Sequence, residues 1–171
     1  MATKATDRFA NIITESVECS TANTLTFQEI TVGLSIFDKA GILLNRIEYI
    51  PSKAMIQEMT AADDTIEMAV TTSNTITTLS VTQTQVIDKV LLNRLDLGTA
   101  ASGHILEVPI VRDMSTLPGG GVLITPRPWY IALNTAGLAS AGTLTIRFYF
   151  TVMKLQPAEY FELLETRTYF G

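Results

Sequence analysis

A chain of 171 residues suffices for one domain, and at that length it can bury roughly 70% of its unfolded surface without disulfides or metal. Charged residues make up only 17% and hydrophobic ones 47%, with a mean hydropathy of +0.27; ordinary soluble domains carry about 25% charge, so much of this surface is neutral or apolar, as on faces that other subunits cover. The net charge of −5 argues against a sequence-independent nucleic-acid binder, no 18-residue apolar run offers a membrane span, and the polar start Met1 to Arg8 lacks the apolar stretch of a secretory signal.

Residues 1–24 lack strong periodicity and are expected to form an extended N-terminal arm. Leu25 to Phe37 reads as a strand, with Ile30, Val32, Leu34 and Ile36 alternating against Thr31, Gly33 and Ser35. Leu25 and Phe27 fall on the other parity, which a β-bulge at Gln28-Glu29 reconciles. Asp38 to Gly41 is a turn, and Ile42 to Ile50 is the return strand, stopped by Pro51. The two strands are expected to form a hairpin. Ser52 caps a short helix that ends near Thr60. Asp64 to Thr72 is a strand carrying Ile66, Met68 and Val70 on one face, and Thr75 to Gln83 is expected to be another. In Gln85 to Leu97, Val86, Ile87, Val90, Leu91 and Leu95 fit one helix face and Gly98 caps its end. Helix is preferred there, with a buried strand as the competing reading.

His104 to Val111 reads as a strand in which Pro109 marks an edge or a bulge. Pro118 to Gly121 is a turn, Val122 to Thr125 and Trp129 to Asn134 are short strands, and Asn134 to Gly137 is a second turn. Thr143 to Met153 has the cleanest alternation. Leu144, Ile146, Phe148, Phe150 and Val152 share one face, and Thr145, Arg147, Tyr149 and Thr151 share the other. Pro157 opens a short terminal helix over Ala158 to Thr166, with Glu159 and Glu162 where the helix dipole favours acids. Thr occurs 25 times, and with Val and Ile it favours pleated backbone. About eight strands with regular turn signals make an all-β sandwich or barrel.

Equipment for catalysis is sparse. His104 is the single histidine, so a nucleophile–histidine arrangement or a His-rich metal site would have to use it, and no motif surrounds it. Cys19 is the single cysteine and reads as a small packing residue. Asp63, Asp64 and Glu67, and likewise Glu159, Glu162 and Glu165, are acidic clusters without the ligand spacing of a calcium loop. Gly119 to Gly121 lacks the Lys-Ser/Thr continuation of a phosphate-binding loop. No cofactor, metal or small-molecule substrate is expected. Trp129 and Tyr130 would form a stacking platform in an alternative reading, a non-catalytic carbohydrate-binding module, but adjacent strand residues point to opposite faces.

The run from Pro118 through Thr125, Trp129 and Asn134, followed by Thr143 to Val152, resembles the last three strands of a viral jelly-roll capsid protein. The segment Lys154 to Leu164 resembles tails on the small single jelly-roll coat proteins of tailless icosahedral viruses of prokaryotes. The resemblance covers roughly residues 25–153. It implies an eight-stranded antiparallel jelly-roll sandwich of two four-stranded sheets at 25–153, with short helical insertions. An arm precedes it at 1–24, and a short C-terminal helix and tail follow at 154–171. It also implies a virion location after synthesis in a host cytoplasm, and self-assembly with copies of the chain and other capsid proteins. Phe9, Ile12, Ile13, Tyr160, Phe161, Tyr169 and Phe170 are the expected subunit contacts. Many such coats meet the genome through a basic arm, whereas this one offers Lys4 and Arg8 against Asp7, Glu15 and Glu18. No direct nucleic-acid contact is therefore expected, and an underlying membrane or inner shell is the expected neighbour.

Overall fold

The computed structural model describes residues 11–34, 39–61, 63–94, 108–125 and 127–170, with backbone alone at 163, 164 and 166–170. Along the chain run β1 (Asn11–Glu18), β2 (Thr26–Ile30), β3 (Ala40–Pro51), α1 (Lys53–Gln57), β4 (Thr65–Thr71), β5 (Val86–Asn93), β6 (Ile110–Asp113), β7 (Val122–Ile124), β8 (Trp129–Ala136), β9 (Thr143–Lys154) and α2 (Pro157–Phe170). They form two antiparallel sheets. The first has the order β1-β9-β3, and the far edge of β3 pairs β7 along Ile42–Leu44 and β6 along Arg46–Tyr49. The second has the order β2-β8-β4-β5.

Alternation makes these strands because only a pleated ribbon gathers every second side chain onto one face. In β9, Leu144, Ile146, Phe148 and Phe150 are buried while Thr145, Arg147, Tyr149 and Thr151 stay half-exposed. The inner faces meet in one core, with Ile42, Leu44 and Ile47 from β3 packed with Ile66, Met68 and Val70 from β4 and Ile131 and Leu133 from β8. The expected sandwich of antiparallel sheets is therefore present. As expected, Ser52 caps α1, its Oγ accepting from the Met55 N–H at 3.3 Å. Helix α2 opens at Pro157 and runs past the expected Thr166.

Several local expectations are corrected. Within the expected arm, residues 1–10 lie outside the described residues, and Asn11–Glu18 is an edge strand paired with β9 along its whole length. Its inner face is mixed (Ile13, Glu15, Val17), so an edge position hid its periodicity. Leu25 to Phe37 and Ile42 to Ile50 are not a hairpin. Thr26–Ile30 pairs β8 in one sheet, and β3 belongs to the other. After β2, Val32 and Leu34 pack on the core without strand pairing. No bulge lies at Gln28-Glu29 either. Leu25 and Phe27 have the wrong parity because they serve a second apolar cluster on the outer face of their sheet.

That second cluster also explains Thr75 to Gln83, which is a strap and not a strand. Leu79 is buried over Ala69 and Ala132, whose small side chains let it approach, and Ile76 and Val86 flank it. Lys89 Nζ reaches the Leu79 carbonyl and Glu67 Oε1, and Asn134 Nδ2 donates to Glu67 Oε2 at 2.7 Å. Leu79→Ala is expected to lower stability by about 2 kcal/mol. It should also speed limited proteolysis within 72–85, which mass spectrometry of the fragments would read.

Gln85 to Leu97 is strand and not helix over its described part. Val86–Asn93 pairs β4, with a register break between Val70 and Thr71 that leaves Ile87 as an extra residue. The break shifts the apolar parity between Val86 and Asp88, at the start of the strand, which imitates a helical stripe. The bulge in β3 is at Asn45, and its amide Nδ2 donates to the Gly120 carbonyl at 2.7 Å. Of the expected strand over His104 to Val111, residues 104–107, His104 among them, lie outside the described residues, and Ile110 and Val111 belong to β6.

Of the acidic pair before β4, Asp64 has a structural task. Asp64 is buried, and its Oδ2 accepts from the Thr60 and Ala61 N–H groups at 2.6 Å each. Gly137, at φ +78°, passes so close that a Cβ there would overlap Asp64 Oδ1. Gly137→Ala combines left-handed strain with displacement of a buried carboxylate, and a loss of about 2–3 kcal/mol is expected in a urea melt.

Candidate functional site

Two polar constellations stand out against the apolar core. The first joins the sheets. Tyr49 (β3) and Arg112 (β6) project inward from one sheet, and Asp88 (β5) projects inward from the other. The Tyr49 hydroxyl donates to Asp88 Oδ2 at 3.0 Å. Arg112 forks onto the same carboxylate, with Nη2 at 3.1 Å from Oδ1 and Nε at 3.2 and 3.3 Å from the two oxygens. Burial, and then the Asp88 charge, push the Tyr49 hydroxyl well above the ordinary tyrosine value. The Asp88 contact likewise raises Arg112. A cleft of about 320 Å³ lies beside this pair, walled by Ile87, Met114, Leu117 and Val122. Both Asp88 oxygens are engaged, so the group works as a clamp between the open edges of the sandwich.

The second constellation lies on the outer face of the β1-β9-β3 sheet. Register aligns Ile12, Tyr149, Arg46 and Asp113 in one row, and Thr14, Arg147, Glu48 and Val111 in the next. Glu48 is only 4% exposed although it faces outward, because two arginines roof it. Arg46 Nη2 is 2.5 Å from Glu48 Oε1 and Arg147 Nη1 is 3.4 Å from Oε2. The Arg46 guanidinium also sits over the Tyr149 ring, 5.2 Å from its centroid.

The expected contact residues scatter over the surface and the core. Ile12 is 58% exposed on β1, and Ile13 packs inward against the core. Tyr160 is buried, while its neighbour Phe161 is 59% exposed on α2. Tyr169 and Phe170 lie in the last turn of α2, and Phe9 lies outside the described residues. Trp129 and Tyr130 do not make a platform. The indole faces the core at 1% exposure, packed edge-to-face on Phe148 with ring centroids 4.7 Å apart, and Tyr130 is half-exposed on the opposite face. Cys19 is buried, and burial raises its thiol above the usual range. Among the described residues no group of three His, Cys, Asp or Glu side chains is placed to hold a metal ion.

Neither polar constellation was singled out in the sequence. Asp88 falls in the segment read as helix, and Glu48 faces solvent by parity. The one available signal was an arginine at each of positions 46, 112 and 147 inside alternating strands.

No protein-family model matches the chain, and no curated protein matches it.

Proposed function

We propose that this chain is a structural virion protein, a jelly-roll subunit that assembles with copies of itself into an icosahedral shell. The pairing order carries this reading. A jelly roll is a long antiparallel hairpin of eight strands wound over on itself, so that strand 1 pairs 8, 2 pairs 7, 3 pairs 6 and 4 pairs 5. Here β1 pairs β9, β2 pairs β8, β3 pairs both β6 and β7, and β4 pairs β5. β6 and β7 share one edge of β3 on either side of the Asn45 bulge, and counting them as a single interrupted strand is the step by which this pairing order supports the reading.

Composition supports the same reading. A surface with so few charges suits a tile that is covered on several sides. Ile12 and Phe161 are exposed apolar side chains of the kind that subunit contacts would cover.

Size-exclusion with light scattering, followed by negative-stain imaging of the purified full chain, tests the proposal. Closed particles of many copies are expected. A chain that stays monomeric at all concentrations up to the millimolar range overturns it.

A further inference from the structure

The edge of a sheet is a row of unpaired backbone N–H and C=O groups, and folded chains guard it with short strands, bulges, prolines, lysines or inward-pointing charges. Three of the four sheet edges here are guarded in that way. β2 has five residues and holds Gln28 and Glu29 at exposed positions. β5 has the register break at Ile87 and carries Lys89. The edge beyond β3 is divided between β6 and β7, of four and three residues.

β1 differs. It runs eight residues in unbroken register with β9 and contains no proline, glycine or lysine. Its outer row is Ile12, Thr14, Ser16 and Glu18, all exposed, with charge only at the end. A hydroxyl contact of 2.8 Å between Ser16 and Thr145 of β9 holds that row flush with its own sheet. The inner row has one guard, Glu15, which is half-exposed. Among the described residues no strand pairs the other side of β1.

We infer that β1 of one copy pairs antiparallel with β1 of a second copy about a two-fold axis at Thr14, so that the two β1-β9-β3 sheets run on as one. Main-chain hydrogen bonds hold such an added strand, and a two-fold contact is one surface met twice. The side chains choose the register. Facing residues in a continuous sheet share a face, so the axis passes through a residue and not between two. An axis at Glu15 sets two carboxylates directly opposite each other, which is unfavourable. An axis at Ile13 overlaps only 11–15 of the strand. An axis at Thr14 overlaps 11–17 and sets Thr14 on Thr14, a favourable cross-strand pair, with Ile12 on Ser16 and Ile13 on Glu15. The two Glu15 residues are then diagonal neighbours, roughly 7–8 Å apart, at half-exposed positions where water and salt screen them. The inference goes beyond the shell reading and does not depend on it.

The test uses the full chain. Across the axis the two Thr14 Cα atoms lie about 4.5–5.5 Å apart, within the range of a disulfide. Thr14→Cys, purified reduced and then oxidised, should therefore run mainly as a bridged dimer on a non-reducing denaturing gel. Ser16→Cys faces Ile12 and not its own copy, so it should bridge roughly tenfold less. Native Cys19 is buried and does not compete. In a second arm, Thr14→Glu stands beside Arg147 in its own sheet, so the thermal melt should be unchanged. Across the axis it sets acid against acid, and association read by light scattering should weaken at least roughly tenfold. No bridge at 14, equal bridging at 14 and 16, or undiminished association of Thr14→Glu overturns the inference. The gel reads free chains and particles alike. A 14–14 bridge without particles sinks the shell reading and leaves the contact standing, and particles without that bridge do the reverse.

Discussion

Trp129→Ala is expected to destabilise the sandwich by about 3–5 kcal/mol, the range for emptying a large aromatic site in a packed core. Trp129 begins β8, opposite Ile30 of β2, and its ring meets Phe148 of β9 across the sandwich at an interplanar angle of 63°. Truncation removes a contact between the sheets as well as buried area, and the rigid strands on both sides limit collapse into the void. For a domain of this size the melting temperature should drop by roughly 10 °C or more. The indole N–H has no hydrogen-bond partner among the described residues, so Trp129→Phe loses packing and no bond, and about 1–2 kcal/mol is expected. A carbohydrate platform predicts the reverse pattern, with glycan binding lost and the melt unchanged. Urea melts of the two variants beside a glycan array separate the readings, and an unchanged Trp129→Ala melt would remove Trp129 from the core.

The second large effect is at the clamp. Asp88→Ala strands the Tyr49 hydroxyl in the core and frees Arg112. Breaking a buried pair typically costs about 3–5 kcal/mol, but Arg112 is half-exposed and can be rehydrated, so about 2–3 kcal/mol is expected. Tyr49→Phe leaves Asp88 with its arginine and should cost about 1–2 kcal/mol. The double variant should lose less than the sum, because both changes act on one network.

The clamp also has a pH signature. Tyr49 holds its proton far above the ordinary value of 10.0, through burial first and the Asp88 charge second. Above pH 10 the unfolded chain releases that proton and the folded one keeps it, so the folded state binds more protons and stability falls as pH rises. Below pH 10 the contribution is complete. Denaturant melts from pH 8 to pH 11 should therefore slope downward in the wild type above pH 10, and the slope should be shallower in Tyr49→Phe. Equal slopes would mean that Tyr49 is not the group responsible.

Period-two patterning determined the strands wherever a single face is buried along the whole run. β9 is the plain case, and β4 and β8 keep the alternation although their outer faces are buried at the small Ala69 and Ala132 beneath the strap. The Ser52 cap and the Pro157 helix start were equally legible, since capping is local chemistry. Tertiary structure decided the rest. β1 carries Glu15 on its inner face and becomes a strand by pairing with β9, a partner 129 residues away at the Ser16–Thr145 hydroxyl contact. Leu25 and Phe27 are apolar on the outer face because a strap lies over them, and no local signal announces a strap. Ile87 breaks the parity of β5 to fit the register of β4. Asp88 with Arg112, and Glu48 beneath Arg46 and Arg147, are polar residues whose partners arrive from other strands. Sequence alone determined that this chain is a β-sandwich sparing in charge, because alternation and composition act residue by residue. Which strands pair, which outer face is closed, and which face is left with its arginines exposed were decided by long-range pairing, because each depends on what the distant chain brings to the other side.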